Sequence, residues 1–132
     1  MARVSERLET ARRALASLKQ VAFLKTFTDI ERDAAIQRFE FTVEVVWKAC
    51  QAYLEEHEGL EGRSPKSAVR AARDALLLGD EQSEQALRMI DDRNLTAHTY
   101  NETSANEILS RLPDYATLLD AWLSAMERGL KG

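Results

Sequence analysis

The chain has 132 residues, of which 45% are hydrophobic and 30% charged, with five glycines and two prolines. A chain of this length can bury one core, so we expect a single domain over residues 1–132. The net charge of −4 argues against a protein that binds duplex DNA through a broad basic surface. A single cysteine, no apolar N-terminal leader and no long apolar run favour a cytoplasmic protein without membrane contact.

Two amphipathic helices are predicted in the first half of the chain. Hydrophobic residues recur every three or four positions over residues 4–22, which predicts a first helix with one buried face. A second helix is predicted over about residues 30–57, with Asp29 as its N-cap. This second helix is longer than most helices of globular proteins, and such length is typical of a helical bundle.

A third and a fourth helix follow. Ser64 and Pro65 are a typical N-cap and first helical residue, so a third helix is predicted over about residues 65–78, with Gly79 as its C-terminal cap. Residues 80–83 should form a turn before the fourth helix. The residues of that helix expected to face the core are Ala86, Leu87, Ile90 and Leu95.

The fifth helix is predicted to begin at the capping-box sequence between Ser104 and Glu107. Pro113 should kink this helix or split it, because its ring clashes with the preceding turn. The pattern as a whole predicts an all-α fold, an up-and-down antiparallel bundle of four or five helices with short connections.

Residues 93–100, with the sequence RNLTAHTY, form the one dense cluster of polar side chains. Arg93 carries a permanent forked charge that matches a phosphate, and His98 can exchange a proton near neutral pH. These two groups suffice for attack by a ribose 2′-hydroxyl on a phosphodiester without a metal. The structural alternative is that Arg93 pairs with Asp91 or Glu102.

Helical geometry constrains the first of these interpretations. In one continuous helix, Arg93 and His98 lie about 140° apart around the axis, so they face different sides. Convergence on one phosphate requires either a distortion near residues 96–99 or a second copy of the chain across a two-fold axis. We favour the dimer because of the family resemblance described next.

The spacing Arg93-x4-His98-x-Tyr100 resembles the R-x4-6-H motif of HEPN domains, in the form typical of the bacterial HepT-like branch. Three further segments are similar to the subgroup of nucleotidyltransferase substrate-binding proteins: RFEFTVE at residues 38–44, WK at 47–48, and SPK at 64–66 followed by Arg70. The resemblance covers about residues 30–122.

This resemblance implies a helical-bundle homodimer whose partner is a minimal nucleotidyltransferase. In the HepT-like branch the HEPN protein is a ribonuclease toxin and the transferase is its antitoxin. By this resemblance, Arg93 would hold the scissile phosphate, His98 would be the general base, and Asn94 would orient the phosphate or the imidazole. Tyr100 would be the residue that the partner adenylylates. The implied activity is that of a metal-independent endoribonuclease that needs no cofactor.

Two other interpretations stay open. In the first, the protein would be a non-catalytic accessory subunit that binds nucleotide or substrate through the same motif. In the second, the motif would only hold a dimer together, through Arg93 and Asp91 or Asp92. The acidic residues beside the motif oppose RNA binding, so basic residues elsewhere would have to help. Candidates on the first helix are Arg3, Arg7, Arg12 and Arg13. Candidates on the third helix, for RNA or nucleotide, are Lys66, Arg70 and Arg73.

Overall fold

The computed structural model describes residues 2–98 and 101–132, and omits the side chains of residues 2, 97 and 98. The described residues contain no strand and form five α-helices. Their bounds are α1 Ala2–Ala22, α2 Asp29–Tyr53, α3 Pro65–Asp74, α4 Asp80–His98 and α5 Glu102–Lys131. The predicted all-α class is therefore confirmed. None of the helices in the described part of the chain is both long and apolar enough to cross a membrane.

Contacts between the helices give the antiparallel order that was predicted. In α1 and α2, Thr42 donates to the carbonyl of Ala14 and Arg38 to that of Ser17, so the two helices run in opposite directions. α5 is likewise antiparallel to α1 and to α4. The largest fully buried side chains come from α1, α2, α4, α5 and the turn after α2, and include Leu15, Phe39, Leu54, Met89, Ile108 and Trp122. Each such side chain stabilises the fold by about 1.5–3 kcal/mol through burial.

The starts of α2 and α5 differ from the predicted caps. Thr28, not Asp29, is the N-cap of α2, because Thr28 and Glu31 form a reciprocal capping box. Asp29 then lies in the first turn, where a negative charge is favoured by the helix dipole. α5 begins earlier than predicted, because the Asn101 side chain accepts a hydrogen bond of 2.8 Å from the N–H of Ser104.

The middle of the chain also departs from the prediction. α2 continues after Tyr53 into a π-helical turn, Leu54–Glu58, which ends at Gly59 with φ 64°. α3 ends at Asp74 rather than at residue 78, and Leu76 takes a positive φ of 63°. Gly79 is not its cap. Instead, the N–H of Gly79 donates to the Gln82 side chain, so residues 80–83 form the first turn of α4 rather than a separate turn.

α5 is continuous through Pro113, so of the two predicted outcomes, a kink or a split, the split is wrong. Large side chains before and after the proline, such as Leu112 and Tyr115, are fully buried. This packing outweighs the hydrogen bond that proline cannot donate. In α4, Ala86 and Ile90 are buried and Leu87 is partly buried, whereas Leu95 is 37% exposed and does not face the core as predicted.

Candidate functional site

The packing of α4 against α2 determines the surroundings of Arg93. Its Nη2 donates to Oε2 of Glu44 at 3.2 Å, and the indole nitrogen of Trp47 donates to the same oxygen at 3.1 Å. The amine of Lys48 lies 3.0 Å from the other carboxylate oxygen. We call these four residues the Glu44 cluster. One carboxylate thus binds three donors and fixes the guanidinium of Arg93 at the start of the RNLTAHTY segment.

The charges of the cluster favour an ionised Glu44. Burial alone would raise the pKa of this carboxyl, but the hydrogen bonds from Lys48 and Trp47 and the charges of Lys48 and Arg93 outweigh it. The pKa of Glu44 is therefore lowered below its usual value. Its negative charge persists at neutral pH and keeps Arg93 in place.

Arg93 does not form the ion pairs that the structural alternative predicted. Asp91 binds Lys66 at 2.6 Å, and Glu102 lies 3.4 Å from Arg32. Both acids thus pair with basic residues of other helices, and Arg93 pairs with Glu44.

Asp92, the third acidic residue beside the motif, is only 7% exposed and accepts hydrogen bonds from side chains of α5. It accepts hydrogen bonds from Arg111 at 2.8 and 3.0 Å and from the Tyr115 hydroxyl at 2.5 Å. The Arg111 charge compensates this carboxylate. The acidic surroundings of the motif, which the sequence suggested would repel RNA, are thus largely neutralised by basic neighbours.

α4 stays helical from Asp80 to His98, so its backbone has no distortion before His98. Positions 93 and 98 accordingly lie about 140° apart around the axis. Asn94 is exposed next to Arg93, whereas the His98 side chain and Tyr100 lie outside what the structure describes.

The basic residues of α3 are mostly engaged. Lys66 binds Asp91 on α4, and Arg73 binds Asp80 at 2.8 Å. Arg70 is exposed. Lys66 and Arg73 therefore connect α3 to α4 more than they extend the surface around Arg93.

Glu44 is the residue near the motif to which the sequence assigned no role. Glu44 belongs to the RFEFTVE segment that carries the family resemblance, so the sequence did mark its segment. Its pairing with Arg93 could not be read from the sequence, because that contact depends on the packing of two helices. Among the described side chains, no group of three or more His, Cys, Asp or Glu is placed to hold a metal ion.

Comparison with known proteins agrees with this architecture. A protein of Thermus thermophilus, known from a crystal structure, is 58% identical, with a TM-score of 0.85 over 88% of this chain and 98% of that one. A chain from the MntA–HpeT toxin–antitoxin pair has a TM-score of 0.79 at 12% identity, over 95% of this chain and 97% of its own.

The tri-AMPylated HEPN toxin of Shewanella oneidensis, in complex with its MNT antitoxin, has a TM-score of 0.78 at 12% identity. That match covers 95% of this chain and 96% of the toxin chain. No curated protein sequence matches significantly. The family model described as "Nucleotidyltransferase substrate binding protein like" matches residues 6–128. The chain therefore belongs to the family of nucleotidyltransferase substrate-binding-like proteins and has the helical fold of HEPN toxins.

Proposed function

We propose that this protein is the HEPN-type component of a two-component toxin–antitoxin system and that it cleaves RNA without a metal. Its partner is a minimal nucleotidyltransferase, and the active form is a homodimer. The observation that carries the proposal is the Arg93 guanidinium, held by Glu44 and next to the exposed Asn94. Guanidinium groups bind phosphates in a defined orientation, which a phosphodiesterase requires.

The proposed reaction is an internal transfer at phosphorus. His98 takes the proton of a ribose 2′-hydroxyl, and the 2′-oxygen attacks the adjacent phosphorus while the bond to the 5′-oxygen breaks. Arg93 binds the phosphate and stabilises the negative charge that develops on its oxygens. Asn94 orients the phosphate or the imidazole. The products are a 2′,3′-cyclic phosphate and a 5′-hydroxyl, whose proton comes from a general acid or water.

The two main groups of this mechanism come from two copies of the chain. The helical backbone of α4 separates positions 93 and 98 around the axis, so one copy supplies Arg93 and the other supplies His98. A two-fold axis that brings the two α4 ends together builds such composite sites without any distortion of the helix.

The partner transferase regulates the activity by adenylylating Tyr100. A structural neighbour of this chain is a HEPN toxin in AMPylated form, bound to its antitoxin, which supports this assignment. The added nucleotide brings a negative charge and bulk two residues after His98, so it would repel and block RNA. Co-expression with the partner transferase should add AMP to the wild type and not to Tyr100→Phe, as read by intact mass.

Incubation of the purified, unmodified protein with total RNA or tRNA in EDTA tests the proposed activity. Metal-free cleavage supports the ribonuclease. Persistent full-length RNA, with a folded and unmodified dimer, argues against it.

A second candidate is an accessory subunit that binds nucleotide or substrate for the transferase, and the description of the matching family model favours it. In this case Arg93 and Asn94 hold a nucleotide phosphate, and Lys66, Arg70 and Arg73 are auxiliary. Calorimetric titration with ATP, in the presence and absence of the transferase, separates the two candidates. Tight ATP binding without RNA cleavage supports the accessory role.

A further inference from the structure

A basic cleft lies between the start of α1 and the second half of α2. Its volume is about 400 Å³. The residues that line it are Arg3, Glu6, Arg7, Thr10, Val45 and Lys48. Three of these six residues are cationic and one is acidic, so the cleft is positive although the chain as a whole is negative.

Arg3 and Arg7 are free to bind an external anion. Within residues 2–98 and 101–132, neither of them forms an ion pair with a carboxylate. Two other basic residues of α1 are different: Arg12 binds Asp120 and Glu127, and Lys19 binds Asp120. The two arginines at the start of α1 therefore keep a positive charge that no carboxylate of the described residues neutralises, whereas Arg12 and Lys19 stabilise the contact with α5.

The cleft shares one residue, Lys48, with the Glu44 cluster. Lys48 lines the cleft and also lies 3.0 Å from Oε1 of Glu44, whose other oxygen accepts from Arg93. A single carboxylate thus separates Lys48 from the guanidinium that we assign to the scissile phosphate. These cations come from three helices: Arg93 from α4, Lys48 from α2, and Arg3 and Arg7 from α1.

We propose that this cleft binds the phosphates of the RNA strand next to the scissile phosphate, with Arg3 and Arg7 as their ligands. The proposal rests on the proposed ribonuclease function and extends it to the substrate beyond the cleaved bond. Single-stranded nucleic acids bind through positive grooves that follow the backbone. The cleft is better suited to this role than α3, where Lys66 and Arg73 are paired with acids of α4.

The test compares two double variants with the same change of charge. Arg3→Gln/Arg7→Gln removes the two free arginines of the cleft. Arg63→Gln/Arg128→Gln removes two exposed arginines elsewhere on the surface. Both are made in a His98→Ala background, so that RNA binding is measured without cleavage, with a fluorescent single-stranded RNA over a series of salt concentrations.

We expect the cleft variant to bind RNA about tenfold more weakly and to lower the slope of log K against log salt by about 1.4, since each phosphate contact contributes about 0.7. The control variant should keep most of the RNA affinity and most of the salt slope. In the catalytically intact protein, the cleft variant should raise KM for long RNA and leave the cleavage of a dinucleotide unchanged. Circular dichroism checks that each variant is folded, and the single variant Arg3→Gln replaces the double one if it unfolds.

The outcomes separate this proposal from the proposed activity. If RNA is cleaved and both double variants bind it like the parent, the cleft assignment is overturned and the ribonuclease stands. If the cleft variant binds RNA more weakly than its parent but the wild type cleaves no RNA, RNA binding by the cleft is supported and the ribonuclease is overturned. If no RNA binds at any salt concentration, both are overturned.

Discussion

Glu44 and Arg93 are 49 residues apart in sequence, yet their side chains form an ion pair of 3.2 Å between α2 and α4. The same carboxylate also accepts from Trp47 and Lys48. Arg93 is consequently held in one orientation before any ligand binds. In our account, this preorganisation lets the guanidinium meet a phosphate without first losing side-chain freedom.

The first prediction concerns Glu44 as a positioning residue. Glu44→Gln keeps the shape of the side chain but removes the charge that holds Arg93, and misplaced catalytic groups lower rates by up to about 100-fold. We expect kcat for RNA cleavage to fall by roughly 10- to 100-fold, with a smaller effect on KM. Steady-state kinetics on a fluorogenic RNA measures both constants.

Glu84→Gln is the matched control, because Glu84 is exposed on α4 and the chemical change is the same. Glu44→Asp should recover part of the lost rate, since it restores the charge at a shorter reach. Equal kcat values for Glu44→Gln and Glu84→Gln would refute the positioning role.

The second prediction concerns the composite site. Arg93→Ala and His98→Ala should each abolish cleavage when present in both copies of the dimer. A mixed dimer with one copy of each variant retains one complete site if Arg93 and His98 come from different copies. Mixing the two inactive proteins under subunit exchange should therefore restore part of the activity, which an RNA cleavage assay detects. No restoration, despite exchange confirmed by native mass spectrometry, would place both residues of a site in one copy.

The third prediction compares two neighbouring aspartates. Asp92 is buried with Arg111 and Tyr115, whereas the Asp91–Lys66 pair is exposed at the surface. Loss of the Asp92 charge leaves Arg111 without compensation, so Asp92→Asn should lower the free energy of unfolding by about 2–4 kcal/mol. Asp91→Asn should cost less than about 1 kcal/mol, because exposed ion pairs contribute little. Urea denaturation gives both values, and similar losses would contradict this difference.

The fourth prediction concerns acid stability. The hydrogen bonds from Lys19 and Arg12 lower the pKa of Asp120 in the folded state below its ordinary 3.8. A lowered pKa stabilises the folded protein above that ordinary value, and this contribution is lost as the pH falls through the folded pKa. Asp120→Asn should thus be less stable than wild type at neutral pH, and the difference should shrink below pH 3.8.

Thermal unfolding as a function of pH measures this difference. Asp114→Asn, an exposed aspartate on the same helix, serves as the control and should follow the wild type. A gap between Asp120→Asn and wild type that is the same at all pH values would show that the contact contributes through packing rather than through charge.

The sequence predicted the bundle because helix formation here follows local patterns. The apolar stripe of residues 4–22 and the Ser64–Pro65 start of α3 depend on neighbours three or four positions away, and the structure confirms both. The errors arose where tertiary packing decides. Buried contacts on either side of Pro113 keep α5 continuous, and the early end of α3 places Leu76 in a left-handed conformation.

The same distinction applies to the site. Arg93 and Asn94 could be identified as candidates because their motif lies within one segment of the chain. The partner of Arg93 could not be identified from the sequence. Asp91 and Glu102 are its acidic neighbours along the chain, whereas Glu44 comes near Arg93 only when α2 packs against α4. Likewise, Arg3, Arg7, Arg12 and Arg13 look equivalent in sequence. Only the packing of α1 shows that Arg12 is paired with α5.

We have proposed that Arg93 and His98 together cleave RNA without a metal. The most direct test incubates wild type, Arg93→Ala and His98→Ala with tRNA in EDTA and analyses the product ends. We expect 2′,3′-cyclic phosphate and 5′-hydroxyl ends from the wild type and none from either variant. Cleavage by His98→Ala at the wild-type rate would contradict the account, because no other group in it takes the 2′-hydroxyl proton.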